Sequence, residues 1–172
     1  MDHFYKSIPG WFTYPCLYTD MVNKFPSGSH FVEVGSYNGT SLAYLIVEII
    51  NAEKDITVTA VDSFLYFTED AFNNNMKPVQ DKFDLVVGDS AEAADKFEDK
   101  SLEFVFIDAD HNYEFVKKDI LAWLPKIKEG GVLAGHDYLY FVGVKQAVDE
   151  IFGNRNDARY TDEDCWFVSI KE

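Results

Sequence analysis

The chain has 172 residues, enough for one domain with its own core and too few for two. Hydrophobic residues make up 47% of the chain, which excludes a disordered or fibrous protein. Because 30 acidic residues face only 15 basic ones, the formal net charge is −15, and most of the surface would repel a phosphate backbone. Nucleic acid is therefore not an expected partner.

The sequence predicts a soluble, cytoplasmic protein with no membrane partner. No segment approaches the roughly 18 apolar residues of a membrane span, and the first residues do not resemble a secretory leader. Cys16 and Cys165 lie far apart in sequence, which disfavours a disulfide framework and fits a reducing compartment.

The first predicted elements are a leader helix and an alternation of strands and helices. A turn at Pro9-Gly10-Trp11 leads into a helix over 14–25, which would cover either a pocket mouth or only the sheet. The pattern then predicts a strand over 30–34, a helix over 40–51 with its apolar residues on one face, and a strand over 56–61.

The middle of the chain contains the predicted centre of the sheet. A polar stretch up to about Asp81 is expected to be a long loop with one short helix, followed by a strand over 83–87. Ser90 is the predicted cap of a short helix that runs to Phe97. The unbroken apolar run over 102–107 is typical of a strand that is covered on both faces.

The last third of the chain predicts a helix over 113–126 ended by the Gly130-Gly131 pair, a strand over 132–134 and a helix over 144–152. A β-hairpin is predicted over 158–170, turning at Asp162 and Glu163.

This alternation indicates an α/β fold with a Rossmann-like, doubly wound and mostly parallel sheet. We expect seven strands, the last of them in the C-terminal antiparallel hairpin. We also expect one domain, in which residues 1–28 form a leader or cap and 29–172 the core.

The residues with chemical potential follow the predicted strands. Ligands of open parallel sheets bind outside the carboxyl ends of the strands, and here every such end is acidic. Each acid alone is typical of a turn or a helix cap, but their joint placement indicates a site for positive charge. The segments are Glu33-Val34-Gly35-Ser36-Tyr37-Asn38-Gly39, Asp62, Gly88-Asp89-Ser90, Asp108 and Gly135-His136-Asp137.

The spacing of the first turn favours a cationic nucleoside over a dinucleotide. Dinucleotide sites prefer G-x-G-x-x-G, whose amides bind pyrophosphate, whereas Gly35 and Gly39 are spaced G-x-x-x-G. The nearby carboxylates would also repel a pyrophosphate. Asp62 is placed to accept from ribose hydroxyls, and Asp89 or Ser90 could meet an adenine edge.

Four motifs in this order, EVGSYNGTSL, GDSAE, FIDADHNYE and GGVLAGHDY, resemble class I S-adenosylmethionine-dependent methyltransferases. They look most like the cation-dependent small-molecule O-methyltransferases of the catechol, caffeoyl-coenzyme A and macrolide-sugar types. The resemblance covers about residues 29–152 and implies methyl transfer to a hydroxyl of a small molecule, such as a sugar, a glycoside or a phenol.

The resemblance also implies the residues that bind S-adenosylmethionine. Its methionine part would lie beside the first turn, its ribose beside the end of the second strand, and its adenine beside the third. The implied residues are Glu33, Gly35, Tyr37, Gly39, Ser41, Asp62, Ser63, Gly88, Asp89, Ser90 and Asp108.

A divalent metal, Mg²⁺ or Mn²⁺, is implied on Asp108, His136 and Asp137. Relatives carry Asp-Asn, Asp-Asp or Glu-Asp where this chain has His136-Asp137. Imidazole suits manganese, iron or zinc better than magnesium, so the identity of the metal stays open. His136 could instead be a catalytic group that does not bind the metal.

The predicted catalytic residues are His111, His136 and Asp110. Many relatives carry a lysine base three residues after the strand-four aspartate, where this chain has His111, and an imidazole is a competent base near neutral pH. The structural alternative is that His111 caps the next helix or stacks on Tyr113. Asp110 would orient His111 or replace His136 on the metal.

Aromatic residues are predicted around the same sheet edge, as walls for an acceptor or as core and interface residues. They are Trp11, Phe12, Tyr14, Phe64, Tyr66, Phe67, Tyr138, Tyr140 and Phe141. The leader is shorter than in relatives, so we expect an open acceptor site, suited to a bulky acceptor or completed by the second subunit of a homodimer.

Three other functions share parts of this pattern. A nicotinamide-dependent oxidoreductase would use the same sheet, but the first-turn spacing and the acidic strand ends disfavour it. The others are a protein that binds S-adenosylmethionine without turnover and a metal-dependent hydroxylase with iron at His136.

Overall fold

The computed structural model describes residues 1–157, 160 and 163–171. The strands among them are β1 His30–Val34, β2 Thr57–Asp62, β3 Asp84–Val87, β4 Leu102–Ile107, β5 Ile127–Gly135 and β6 Trp166–Ser169. The α-helices are α1 Pro15–Lys24, α2 Thr40–Asn51, α3 Glu69–Met76, α4 Ser90–Ala93, α5 Tyr113–Trp123 and α6 Val142–Phe152.

The strands form one sheet in the order β3-β2-β1-β4-β5-β6. All neighbouring pairs are parallel except β5 and β6. This order confirms the predicted Rossmann-like, doubly wound α/β fold, with β1 and β4 at its centre. The described residues form six strands rather than the seven predicted.

The predicted C-terminal hairpin is the reason for the difference in strand number. Its second arm exists as β6, which pairs antiparallel with β5, so that Gly135 faces Trp166. Four residues of the predicted first arm and turn, at positions 158, 159, 161 and 162, lie outside the described residues.

The Gly130-Gly131 pair was predicted to end a helix, but it lies inside β5. The helical stretch ends earlier, in a 3-10 turn over Leu124–Lys126. The pairing of β4 with β5 shifts register between Leu102 and Phe104, and Gly130 adopts a φ of 78° within this irregularity. A bulge of this kind accommodates residues that a regular ladder cannot pair.

The predicted capping role of Ser90 was also wrong. Asp89 caps α4, because its side chain accepts a hydrogen bond from the Glu92 amide at 3.1 Å, and Ser90 is the first residue of the helix.

Helices cover both faces of the sheet, which explains the unbroken apolar runs of its central strands. Phe104 and Phe106 pack on the face covered by α1, α2 and α3, whereas Val105 packs on the face covered by α5 and α6. The leader helix α1 contributes Leu17 and Tyr18 to the first of these cores. Within the described part of the chain, no helix has the length and apolar character needed to cross a bilayer.

Candidate active site

A cleft of about 1530 Å³ runs along the carboxyl ends of β1 to β5. The leader forms part of its wall, so it reaches the pocket as well as covering the sheet. The cleft brings together most of the predicted site residues, namely Gly35, Tyr37, Ser41, Asp62, Ser63, Gly88, Asp89, Ser90, Asp108, Asp110, His111, His136 and Asp137. Glu33 and Gly39 lie behind the wall.

Gly35 allows the ends of β1 and β4 to approach each other closely. Its φ is 90°, and a Cβ atom at this position would lie 2.0 Å from the carbonyl oxygen of Asp108. The Asp108 amide in turn donates to the Val34 carbonyl at 2.8 Å. A glycine is therefore needed to bring the first turn and Asp108 into one cleft.

Asp62 fastens the first turn and still faces the cleft. Its Oδ2 accepts from the Tyr37 amide and its Oδ1 from the Phe64 amide, both at 2.7 Å. A carboxylate offers about four acceptor positions, so both oxygens can accept a further hydrogen bond. This geometry suits the predicted recognition of two ribose hydroxyls.

The two predicted residues behind the wall support the first turn. Gly39 has a φ of 86° and packs against Met76, whose Sδ would lie 2.6 Å from an added Cβ. Glu33 is 1% exposed, and its Oε2 accepts from the Tyr18 hydroxyl at 2.6 Å, whereas its Oε1 has no hydrogen-bond partner within the described part of the chain. Burial raises the pKa of Glu33 to about 7.

The end of the cleft beside β3 carries two acids and one lysine. Asp89 pairs with Lys118 at 3.1 Å. Among the described residues that line the cleft, Lys118 is the only lysine or arginine. Asp119 also lines the cleft and is 5% exposed, and burial raises its pKa to about 6. Asp119 could not be identified from the sequence, because an acid within a helical run is typical of a solvated face.

Two imidazoles and two carboxylates meet where β4 and β5 end. His111 Nε2 lies 2.6 Å from Asp137 Oδ2 and 3.8 Å from Asp108 Oδ1. His136 Nδ1 lies 3.2 Å from Asp137 Oδ1 and 3.9 Å from Asp108 Oδ2. The carboxylate of Asp137 therefore lies between the two rings.

The charges of this cluster shift its pKa values strongly. Asp108 and Asp137 raise the pKa of His111 to about 10. Burial opposes charge on Asp137, but the contacts with His111 and His136 hold its pKa well below the usual range. A cluster that stabilises protonated imidazole in this way is electrostatically suited to a cation.

The leader fixes the orientation of two cluster members. His136 Nε2 and Thr13 Oγ1 are hydrogen-bonded at 2.9 Å, which leaves Nδ1 facing the carboxylates. The Tyr14 hydroxyl donates to Asp108 Oδ2 at 3.1 Å. Thr13 was not identified from the sequence, since a lone threonine before a helix gives no functional signal.

His111 has neither of the structural roles considered for it. Its ring stacks on Phe141, with the centroids 4.2 Å apart, and not on Tyr113. The residue that caps the N-terminus of α5 is Asn112 and not His111. The ring remains partly accessible from the cleft, with 37% of the side chain exposed.

Asp110 lines the cleft but its carboxylate is directed at its own turn. Its Oδ1 accepts from the backbone amide and the side-chain amide of Asn112, both at 2.7 Å. His111 instead meets Asp137 and Phe141. The orienting, catalytic or metal-binding role of Asp110 therefore stays a prediction.

The rim of the cleft is aromatic and open. Trp11, Tyr66 and Tyr140 are 80–87% exposed. Of the nine aromatic residues predicted at this edge, six line the cleft, namely Trp11, Tyr14, Tyr66, Phe67, Tyr140 and Phe141. Phe12 and Phe64 pack against the core beneath α1 and α2, and Tyr138 packs on the opposite core.

Asp164, in the segment before β6, also lines the cleft. It was not predicted as a site residue from the sequence. Its Oδ1 accepts from the Leu139 amide at 2.5 Å. One ligand atom each from His136, Asp137 and Asp164 lie within 4.8 Å of one another, as do atoms of Asp108, His111 and Asp137. The sets contain carboxylate and imidazole donors, which suit a divalent cation of the manganese, iron or zinc type.

Comparison with known proteins shows which family the chain belongs to. A family model described as a methyltransferase domain matches residues 32–138. No curated protein sequence matches the chain significantly.

Solved structures share the fold at low sequence identity. The O-methyltransferase NovP is 19% identical with a TM-score of 0.77, over 93% of this chain and 80% of NovP. CalS11, a TDP-rhamnose 3'-O-methyltransferase of calicheamicin biosynthesis, is 14% identical with a TM-score of 0.66, over 90% and 76% of the two chains. MycE, a methyltransferase solved with Mg and SAH, is 15% identical with a TM-score of 0.61, over 92% and 48%.

Proposed function

We propose that this chain, which belongs to the methyltransferase domain family, transfers a methyl group from S-adenosylmethionine to a hydroxyl of a small molecule. The observation that carries the proposal is the division of the cleft. Hydrogen-bond acceptors suited to a nucleoside lie beside β1 to β3, and the carboxylate-imidazole cluster lies beside β4 and β5.

The part of the cleft beside β1 to β3 is the proposed binding site for S-adenosylmethionine. This cofactor supplies an electrophilic methyl group when it is bound. Asp62 would accept from the ribose hydroxyls, and the turn at Gly88, Asp89 and Ser90 would follow the adenine. Tyr37 and Ser41 would lie beside the amino-acid part. The acid-rich wall favours a sulfonium cation, and the aromatic rim can add cation–π attraction.

Asp108, His136 and Asp137 would hold a divalent cation, whose charge lowers the pKa of a hydroxyl beside it. The hydrogen bond between His136 Nε2 and Thr13 Oγ1 supports this role, because metal-binding imidazoles are commonly fixed through their second nitrogen. The mixed oxygen and nitrogen donors favour Mn²⁺ over Mg²⁺.

His111 is the proposed base that takes the proton from the acceptor hydroxyl. Its ring is accessible from the cleft and its Nε2 faces the ends of both β4 and β5. A cation held by these residues would supply the positive charge that a proton on His111 now supplies. The imidazole could then be neutral and able to accept a proton.

The acceptor is proposed to be neutral or cationic. Lys118 is the only lysine or arginine in the described wall and it is paired with Asp89, so a phosphate or diphosphate would meet mostly carboxylates. We therefore expect an acceptor different from that of CalS11, which is described as acting on the nucleotide sugar TDP-rhamnose. The open aromatic rim favours a bulky acceptor such as a glycoside.

We also propose that the chain acts as one domain.

The open aromatic rim has a second possible explanation besides a bulky acceptor, namely a homodimer in which the second subunit covers the rim. Sedimentation with and without S-adenosylhomocysteine would reveal such a homodimer.

The test is calorimetry with S-adenosylmethionine, S-adenosylhomocysteine and NAD, with and without Mn²⁺, followed by transfer of a labelled methyl group to neutral, cationic and phosphorylated acceptors. We expect S-adenosylhomocysteine to bind and NAD not to bind. Absence of S-adenosylmethionine and S-adenosylhomocysteine binding under all conditions would overturn the proposal.

The two remaining functions give different results. A binding protein without turnover would tolerate Asp108→Ala with no loss of function. A hydroxylase would consume oxygen with iron bound and would transfer no label.

A further inference from the structure

Asp164 presents a buried carboxylate oxygen at the edge of the cleft. The residue is 6% exposed, and among the described residues Oδ2 has no hydrogen-bond partner, although Oδ1 accepts from the Leu139 amide. Buried carboxylates are stable only when they are paired, hydrogen-bonded or bound to a cation. A positive group is therefore expected at Oδ2.

The sheet topology brings this oxygen to the cluster. Because β5 and β6 are antiparallel and Gly135 faces Trp166, the residues after β5 run beside those before β6. The Tyr138 amide donates to the Asp164 carbonyl at 3.1 Å, which holds the two segments together. Gly135 permits the approach, since a Cβ atom there would lie 2.5 Å from Trp166 Nε1.

We propose that Asp164 is a ligand of a divalent cation bound by His136 and Asp137. Ligand atoms of the three residues lie within 4.8 Å of one another. These three ligands would leave positions of the cation open for Asp108 and for an acceptor, and open positions are typical of a catalytic metal site. This inference rests on the cation of the proposed function, but adds a ligand from outside the four sequence motifs.

His136 is oriented for this arrangement. Its Nε2 is bound to Thr13, and Nδ1 lies 3.2 Å from Asp137 Oδ1, on the side of the ring that faces the carboxylates. A donor set of carboxylates with one imidazole favours Mn²⁺, Fe²⁺ or Zn²⁺. The competing explanation is that protonated His136 is the only charge partner of Asp164, in which case Asp164 has no part in metal binding.

Binding of Mn²⁺ to the metal-free full chain tests the inference without any turnover. Asp164→Asn keeps a side-chain oxygen for the Leu139 amide but removes the charge at Oδ2. We expect calorimetry to show at least a tenfold weaker affinity for Mn²⁺, and the thermal stabilisation by Mn²⁺ to be reduced. The control is Asp70→Asn, which removes one exposed carboxylate from α3 and should bind Mn²⁺ as the wild type does.

A second variant keeps the inference testable if Asp164→Asn is unstable. Asp164→His would place a nitrogen at this position, and electron spin echo spectra of bound Mn²⁺ should gain a second ¹⁴N coupling beside that of His136. Equal Mn²⁺ affinity in folded Asp164→Asn, or a single ¹⁴N coupling in Asp164→His, would overturn the inference.

The proposed function fails separately. If the wild type binds S-adenosylhomocysteine and transfers methyl groups, but Asp164→Asn binds Mn²⁺ as tightly, only the role of Asp164 is wrong. If the wild type binds Mn²⁺ but no S-adenosylhomocysteine, the ligand set can stand while the reaction does not.

Discussion

The Tyr18 hydroxyl donates to Glu33 Oε2 at 2.6 Å and so joins the leader helix α1 to β1 beneath the cleft. Both side chains are buried, and no described residue forms a hydrogen bond with the second oxygen of Glu33. The sequence places this acid in a strand that is otherwise apolar, and burial raises its pKa to about 7. The core therefore favours the neutral form of Glu33.

Glu33 should make the protein less stable as the pH rises. Its pKa of about 7 lies above the ordinary 4.5, so its contribution to the free energy of unfolding is complete below pH 4.5 and is lost as the pH rises through 7. A shift of this size is worth roughly 3 kcal/mol, at about 1.4 kcal/mol per pH unit. Denaturant unfolding of wild type and Glu33→Gln should show a difference that grows in favour of the variant between pH 5 and 8.

Tyr18→Phe is the matched control for this pH dependence. It leaves the acid in place but removes a donor that stabilises the charged form, so the pKa of Glu33 should rise further. A difference between Glu33→Gln and wild type that does not change with pH would contradict this account.

The central elements could be predicted from the sequence because one physical signal dominated each of them. The bounds of β1, β4 and α2 agree with the apolar runs and the helical periodicity. The position of the cleft also followed from the sequence, because parallel strands must end at the same sheet edge. Gly130 was misread because a glycine in a bulge and one after a helix look alike in sequence.

Asp164 could not be found because its place depends on strand pairing over a long sequence separation. The acidic run before β6 suggested the turn of a hairpin, whereas β6 pairs with β5 and carries Asp164 to His136. The choice between Asp89 and Ser90 as the cap of α4 also could not be made from the sequence. Both are good capping residues, and only the backbone conformation decided between them.

Gly35→Ala should destabilise the protein by more than about 2 kcal/mol, because the added Cβ would meet backbone atoms that cannot move independently. The nearest is the Asp108 carbonyl oxygen at 2.0 Å. Gly28→Ala is the matched control, since Gly28 has a φ of 88° but no heavy atom within 4 Å of the added Cβ. Thermal unfolding should give a cost of about 1 kcal/mol for Gly28→Ala. Equal costs would show that the close approach of β1 and β4 does not limit this position.

Asp62→Asn should weaken S-adenosylhomocysteine binding and also destabilise the first turn. Asparagine has one acceptor oxygen, so it cannot serve the amides of both Tyr37 and Phe64, and the first turn would lose a hydrogen bond. We expect a loss of at least tenfold in affinity by calorimetry and about 1–3 kcal/mol of stability. Asp84→Asn at the start of β3 is the control, because it removes an exposed acid away from the cleft. Unchanged affinity in Asp62→Asn would exclude the ribose role.

His111→Ala should lower the rate of methyl transfer by about 10²–10⁴-fold while leaving S-adenosylhomocysteine binding intact, since the ring lies in the cluster beside β4 and β5, away from the proposed nucleoside end. Added imidazole should restore part of the rate, because the vacated space beside Phe141 is open to the cleft. A purely structural role would show no such rescue. His3→Ala is the control, as His3 stacks on Tyr44 outside the cleft and should transfer methyl groups at the wild-type rate. If His111→Ala keeps the wild-type rate, the proton must leave through another group, with His136 next to be tested.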